Sequence, residues 1–176
     1  MKKKIKERLF EVYIPKEKIR PRITQLGTQI SEDFEGKDLI IIGVLNGAFI
    51  FLADLSRHIT VSAQVSFMRI SSYQGLQSTE SVEKKMEINE DLSGKHVLVV
   101  EDIVDTGISM NYLLKEIKTH NPSSVSIATL LFKPEAFQFN YPLNYVGFEI
   151  PNKFVVGYGL DYDGLGRNLP DIYQLV

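Results

Sequence analysis

An α/β fold with a mainly parallel, twisted sheet flanked by helices is predicted by three features of the chain. The runs Leu39-Ile40-Ile41-Ile42-Gly43-Val44-Leu45 and Val97-Leu98-Val99-Val100 are continuously apolar and rich in β-branched residues, as expected of strands covered on both faces. A third run of the same kind spans residues 125–132. Segments of helical spacing lie between the runs, and strands alternating with helices lead to a parallel sheet.

Each element has its own signal. The start, Met1-Lys2-Lys3-Lys4-Ile5-Lys6, is followed by Glu7-Arg8-Leu9-Phe10-Glu11 and not by an apolar run, so it reads as a solvated tail and not as a signal peptide. Ile19, Ile23, Leu26, Ile30 and Phe34 recur at helical spacing and describe an amphipathic helix ending near Gly36. Pro21 has no N–H for the preceding turn, so this helix is expected to begin around Arg20 or to kink there. Asn46-Gly47 leads from the first strand into a helix over 48–58, and 65–70 reads as another strand. Residues 71–80 are polar, with too few apolar side chains to pack as an element, and read as a long loop of the kind that forms lids. Met110, Leu113, Leu114 and Ile117 line one face of the helix after the strand at 96–100. Residues 145–150 and 154–158 read as short strands around Pro151-Asn152-Lys153, which with the Gly-rich end make a small hood. No repeat or linker divides the chain, so 1–176 reads as a single domain, its hood drawn from about 145–176 and the N-terminal segment.

Composition narrows the function. The chain has 176 residues, 44% hydrophobic and 24% charged, enough to bury a core unaided. The absence of cysteine excludes a disulfide framework, a thiolate zinc site and a cysteine nucleophile, and suits a reducing compartment. Twenty Lys+Arg against 22 Asp+Glu disfavour a nucleic-acid binder, which needs a net basic surface. No apolar stretch approaches the ~20 residues that span a bilayer. A cytoplasmic protein with neither nucleic-acid nor membrane partners is expected.

The informative stretch is Val99-Val100-Glu101-Asp102-Ile103-Val104-Asp105-Thr106-Gly107-Ile108-Ser109, between a buried strand and a helix. Ligands of parallel α/β sheets bind beyond the carboxyl ends of the strands, where Glu101 and Asp102 are expected. Thr106, Gly107 and Ser109 bring hydroxyls, a glycine allowing close approach and the free N–H groups of a helix start, the ingredients of a phosphate cradle. Three carboxylates beside an anion repel it unless a divalent cation and a sugar diol lie between them, since hydroxyls donate to carboxylates and Mg²⁺ binds oxygen. An isolated Asp-Thr-Gly is more often a plain turn into a helix; the acid pair before it shifts the balance toward a site.

This stretch resembles the phosphoribosyl pyrophosphate signature of the type I phosphoribosyltransferases, in the form carried by hypoxanthine-guanine phosphoribosyltransferases. The resemblance extends to Gly43-Val44-Leu45-Asn46-Gly47-Ala48-Phe49 as a pyrophosphate loop, Ser72-Tyr73 as a mobile lid, and Gly147-Phe148-Glu149-Ile150-Pro151-Asn152-Lys153-Phe154-Val155-Val156-Gly157-Tyr158 as a base-binding hood. It implies the type I phosphoribosyltransferase fold and an Mg²⁺-dependent purine salvage reaction. In that reaction the phosphoribosyl group passes from phosphoribosyl pyrophosphate to N9 of hypoxanthine or guanine. It also implies a homodimer or homotetramer.

Residue by residue, the resemblance implies that Glu101 and Asp102 hold the ribose hydroxyls and Mg²⁺, and that Asp105, Thr106, Gly107, Ile108 and Ser109 cradle the 5′-phosphate. Asp105 also becomes the general base facing N7 of the purine. Leu45, Asn46, Gly47 and Arg167 meet pyrophosphate. Lys133 donates to the 6-oxo group, Phe154 stacks on the base, Val155 touches its edge, and Asp161 holds a second Mg²⁺. Read without the resemblance, Phe154 is core, Lys133 is solvated and Asp161 forms a turn. One departure stands out: Asn46 occupies a place where the family usually has lysine, often after a cis peptide bond, so a positive charge is missing from the pyrophosphate loop.

Two other classes share parts of the pattern. A phosphoacceptor receiver domain also has an acid pair after a strand, but places it near its start and needs a later aspartate that is missing after 125–132. A phosphoribosyltransferase fold used as an RNA-binding regulator keeps the signature but needs a basic face.

Overall fold

The structure, a computed structural model, describes residues 2–69 and 88–176. In chain order the elements are β1 (Lys2–Ile5), β2 (Arg8–Ile14), α1 (Lys16–Asp33), β3 (Leu39–Leu45), α2 (Phe49–Ser56), β4 (Ala63–Arg69), β5 (His96–Val104), α3 (Ile108–Thr119), β6 (Ser124–Phe132), β7 (Tyr145–Glu149), β8 (Val155–Val156) and β9 (Ile172–Leu175). They build two sheets. Five strands in the order β4-β3-β5-β6-β7 pair in parallel, and four in the order β1-β2-β9-β8 pair antiparallel.

The apolar runs form the middle of the parallel sheet, and their period of two sorts side chains onto its faces. Leu39 and Ile41 of β3 and Leu98 and Val100 of β5 pack against Ile19, Ile23, Leu26 and Ile30 of α1 and Phe51, Leu52 and Leu55 of α2. Ile40, Ile42, Val97 and Val99 face the other way, onto Met110, Leu113 and Ile117 of α3. Each such buried aliphatic side chain stabilises the fold by about 1.5–3 kcal/mol relative to exposure, which is why these runs dominate the architecture.

Three expectations need correction, and the start of α1 is earlier than one of its two alternatives had it. Helix α1 begins at Lys16, where the Pro15 carbonyl accepts from Lys18 N and Ile19 N, and it runs through Pro21. Burying Ile19 in register with Ile23 and Leu26 outweighs the N–H that proline withholds from the Glu17 carbonyl. The lysine run is not a tail: Lys2–Ile5 is a strand paired with β2, anchored by Ile5 in a small core with Phe10, Val156 and Tyr173. Residues 145–149 belong to the parallel sheet, where Ala128 pairs with Tyr145 and Phe132 with Glu149, so the antiparallel sheet takes only Val155–Val156 and Ile172–Leu175 from the C-terminal part. Strand β5 runs four residues beyond Val100, because β6 keeps pairing with it as far as Val104 and Phe132. The expected loop at 71–80, with Ser72 and Tyr73, lies outside the described residues. No helix among the described residues is long and apolar enough to cross a membrane.

Candidate active site

The site arises where β5 loses one neighbour. β3 pairs with β5 only up to Gly43 and Val100, whereas β6 continues beside Glu101, Ile103 and Val104. Glu101 and Asp102 are therefore residues of β5 near its carboxyl end, held on one side and open on the other. Leu45, Asn46 and Gly47 turn across the open side through a cis Leu45–Asn46 peptide. A Cβ at Gly47 would run into the Asp102 carboxylate, so this close approach requires glycine. The Asp102 carboxylate accepts from Ile103 N at 2.8 Å, and that of Glu101 from Asp102 N at 3.2 Å. Burial raises both carboxyls from their ordinary values, Glu101 well above and Asp102 despite the opposing pull of its hydrogen bonds and of Arg167; the negative charge of Asp102 raises Glu101 further.

Three adjoining clefts open around 101–105. The first, about 110 Å³, is walled by Asp105, Thr106, Gly107 and Ser109 above Glu101 and Ile103. Gly107, at φ 83°, is the N-cap of α3, and its carbonyl accepts from Asn111 N at 2.8 Å. Ile108 N meets the Thr106 hydroxyl at 3.4 Å while the Ile108 side chain is 57% exposed.

The second cleft, about 260 Å³, lies between Asp102, Asp105 and Lys133 of the parallel sheet side and Phe154, Val155 and Asp161 of the hood side. Lys133 is buried, and its Nζ donates to Asp105 Oδ2 at 2.8 Å and to Asn152 Oδ1 at 3.3 Å. Phe154 is 47% exposed, so it is a cleft wall and not core; Phe10 and Tyr162 stand beside its ring at 6.3 and 5.8 Å.

The third, about 250 Å³, is bounded by Leu45, Asn46, Gly47, Asp102, Asp161 and Arg167. Arg167 is ion-paired with Asp161 at 2.6 Å and donates to the Gly159 carbonyl at 2.7 Å, while Asp161 also accepts from Gly164 N at 2.7 Å.

Apart from Ser72 and Tyr73, the sequence-predicted residues are thus gathered on one side of the molecule, Ile108 at the edge. Ile103, Asn152, Lys153 and Leu160 also border the site or hold its lysine. Of these only the turn Pro151-Asn152-Lys153 left a sequence signal. Among the described residues no three carboxylates or imidazoles converge as a ready-made metal cage, and Asp161 is turned to Arg167. The donor set still suits Mg²⁺, which is usually held by one or two carboxylates together with substrate oxygens and water.

An acid pair near the carboxyl end of a strand, a turn with glycine as N-cap of the next helix and a hood lining the cleft are accompanied by a match of residues 15–163 to the phosphoribosyl transferase domain family. The chain belongs to the phosphoribosyltransferase family. It is 43% identical over 169 residues to the hypoxanthine phosphoribosyltransferase of Escherichia coli K12, covering 94% of this chain and 95% of that protein. To the hypoxanthine-guanine phosphoribosyltransferase of Mycobacterium tuberculosis H37Rv it is 42% identical over 177 residues, covering 93% and 88%. A crystal structure of a hypoxanthine-guanine phosphoribosyltransferase from Bacillus anthracis superimposes with a TM-score of 0.87 at 38% identity, covering 94% of this chain and 96% of that one. The parallel sheet with its flanking helices is the type I phosphoribosyltransferase fold.

Proposed function

We propose that the protein is a purine salvage phosphoribosyltransferase that moves the 5-phosphoribosyl group from phosphoribosyl pyrophosphate to N9 of hypoxanthine or guanine. The observation that carries this reading is the meeting of three clefts on Glu101–Asp105, one suited to each part of the substrate pair: 5′-phosphate, purine and pyrophosphate. The names of the relatives agree with it.

In the reaction the N9–C1 bond forms as the C1–oxygen bond to pyrophosphate breaks, and the N7 proton of the purine passes to Asp105. The base lies along Phe154 and Val155. Lys133, buried and with three donors, offers one to the 6-oxo oxygen, and selects oxo over amino purines. Glu101 and Asp102 accept from the ribose hydroxyls, and Asp105 to Ser109 hold the 5′-phosphate on backbone N–H groups and hydroxyls. Leu45, Asn46, Gly47 and Arg167 receive the pyrophosphate, on which negative charge grows. Glu101, Asp102 and Asp161 would hold Mg²⁺, which when bound would supply positive charge to offset the carboxylates and the leaving group. We place the enzyme in the cytoplasm, as a homodimer or homotetramer.

The test is pyrophosphate release in the presence of Mg²⁺, phosphoribosyl pyrophosphate and one purine at a time. Release with hypoxanthine or guanine but little with adenine is expected; equal release with adenine overturns the reading of the hood.

A further inference from the structure

The loop from Val104 to Gly107 is braced from behind by residues 133–141. Lys133 N donates to the Val104 carbonyl at 3.0 Å, Gln138 N to the Thr106 carbonyl at 3.1 Å, and the Tyr141 hydroxyl to the Gly107 carbonyl at 2.8 Å. A trans peptide directs its C=O and N–H to opposite sides. With these three carbonyls turned to the brace, the N–H groups of Asp105 and Gly107 face away from it, on the side of the cleft that both residues wall, while that of Ile108 meets the Thr106 hydroxyl at 3.4 Å.

Tyr141 is the one side chain among these three donors. Its ring meets Phe137 edge-on at 5.1 Å and stacks on Phe139 at 5.7 Å. Both Phe137 and the Tyr141 hydroxyl press on Gly107 so closely that an added Cβ would lie 2.6 Å from each. Burial pushes the Tyr141 hydroxyl up to about 12, so it remains a protonated donor at neutral pH. The Gly107 carbonyl also starts the α3 hydrogen-bond ladder, so fixing it fixes the orientation of the helix start.

We infer that Tyr141 is a positioning residue for the 5′-phosphate, fixing the Gly107 carbonyl and with it the turn whose Thr106 and Gly107 wall the cleft, while never touching the ligand. The inference rests on the proposed function, and its test separates the two. Wild type and Y141F are titrated calorimetrically with inosine monophosphate and with inosine, which lacks the phosphate. Phenylalanine keeps the ring packing and removes only the hydroxyl. Loss of one neutral hydrogen bond corresponds to a roughly three- to tenfold weaker affinity, expected for inosine monophosphate alone, with inosine binding unchanged. A wild-type preference for the monophosphate that Y141F retains in full overturns the inference and leaves the functional reading intact. Equal weakening for both ligands also overturns it, since a general structural support acts on both. A wild-type protein that binds the two equally overturns the functional reading, and the inference with it.

Discussion

Asp105 and Lys133 are 2.8 Å apart in different surroundings, the lysine side chain 9% exposed and the carboxylate 44%. The lysine depends on its partner for a charged acceptor, while the carboxylate has water available. Asp105→Asn keeps the shape and an oxygen acceptor for Lys133 but removes the proton-accepting charge. The rate of nucleotide formation is expected to fall at least about tenfold, with the protein still folded; an unchanged rate in a steady-state assay would exclude Asp105 as base. Lys133→Gln removes the buried cation and replaces an obligate donor by an amide that also accepts. The preference for hypoxanthine over adenine in kcat/KM is expected to drop by roughly a hundredfold, and a preserved ratio would place base selection elsewhere.

At the scale of elements, edge strand β7 is tied to α1. Tyr145 donates to Asp33 at 2.8 Å, and Arg22 donates to the Val146 and Gly147 carbonyls at 2.6 and 3.0 Å. Burial, then the hydrogen bond and charge of Asp33, raise the Tyr145 hydroxyl above its ordinary value of 10.0. The folded protein therefore holds this proton more tightly than the unfolded chain. That stability is fully present below the unfolded value and is lost as pH rises toward the folded one. Tyr145→Phe is expected to cost about 1–2 kcal/mol at pH ~8 and visibly less near pH ~11, read from urea midpoints; a difference independent of pH would mean that the hydroxyl is not the stabilising group. The same strand shows what the sequence conceals. β3, β5 and β6 were legible because strands covered on both faces are uninterrupted apolar runs. Tyr145–Glu149 reads equally well as a hood strand, since its partner in space is set by pairing across 17 residues, as between Ala128 and Tyr145. Lys2–Ile5 looks like a tail because its strand character rests on pairing with β2 and on one apolar anchor. The signature at 101–109 was legible as chemistry, whereas Tyr141 and Leu160 lie in irregular segments whose sequences carry no periodicity.

Over the whole molecule, charge sets how the substrate can enter. The net charge of −2 is concentrated unfavourably for an anion, since Glu101, Asp102 and Asp161 border the third cleft against the single cation Arg167 there, among the described residues, itself paired with Asp161. Asn46 adds no charge where the resemblance leads to expect lysine. A substrate carrying several phosphates meets repulsion unless a divalent cation accompanies it. Binding to the folded state alone stabilises by about 2.7 kcal/mol at a hundredfold excess over Kd. For a chain of this size that raises the melting midpoint by about 5–10 °C. Phosphoribosyl pyrophosphate with Mg²⁺ is expected to produce that shift, and chelation by EDTA to return the midpoint to that of the free protein. N46K, which places a cation in the cleft, is expected to keep part of the shift without Mg²⁺. A full shift of the wild type in EDTA would show that backbone N–H groups and Arg167 suffice to hold the anion, and that the carboxylates of the cleft are already neutralised from within the protein.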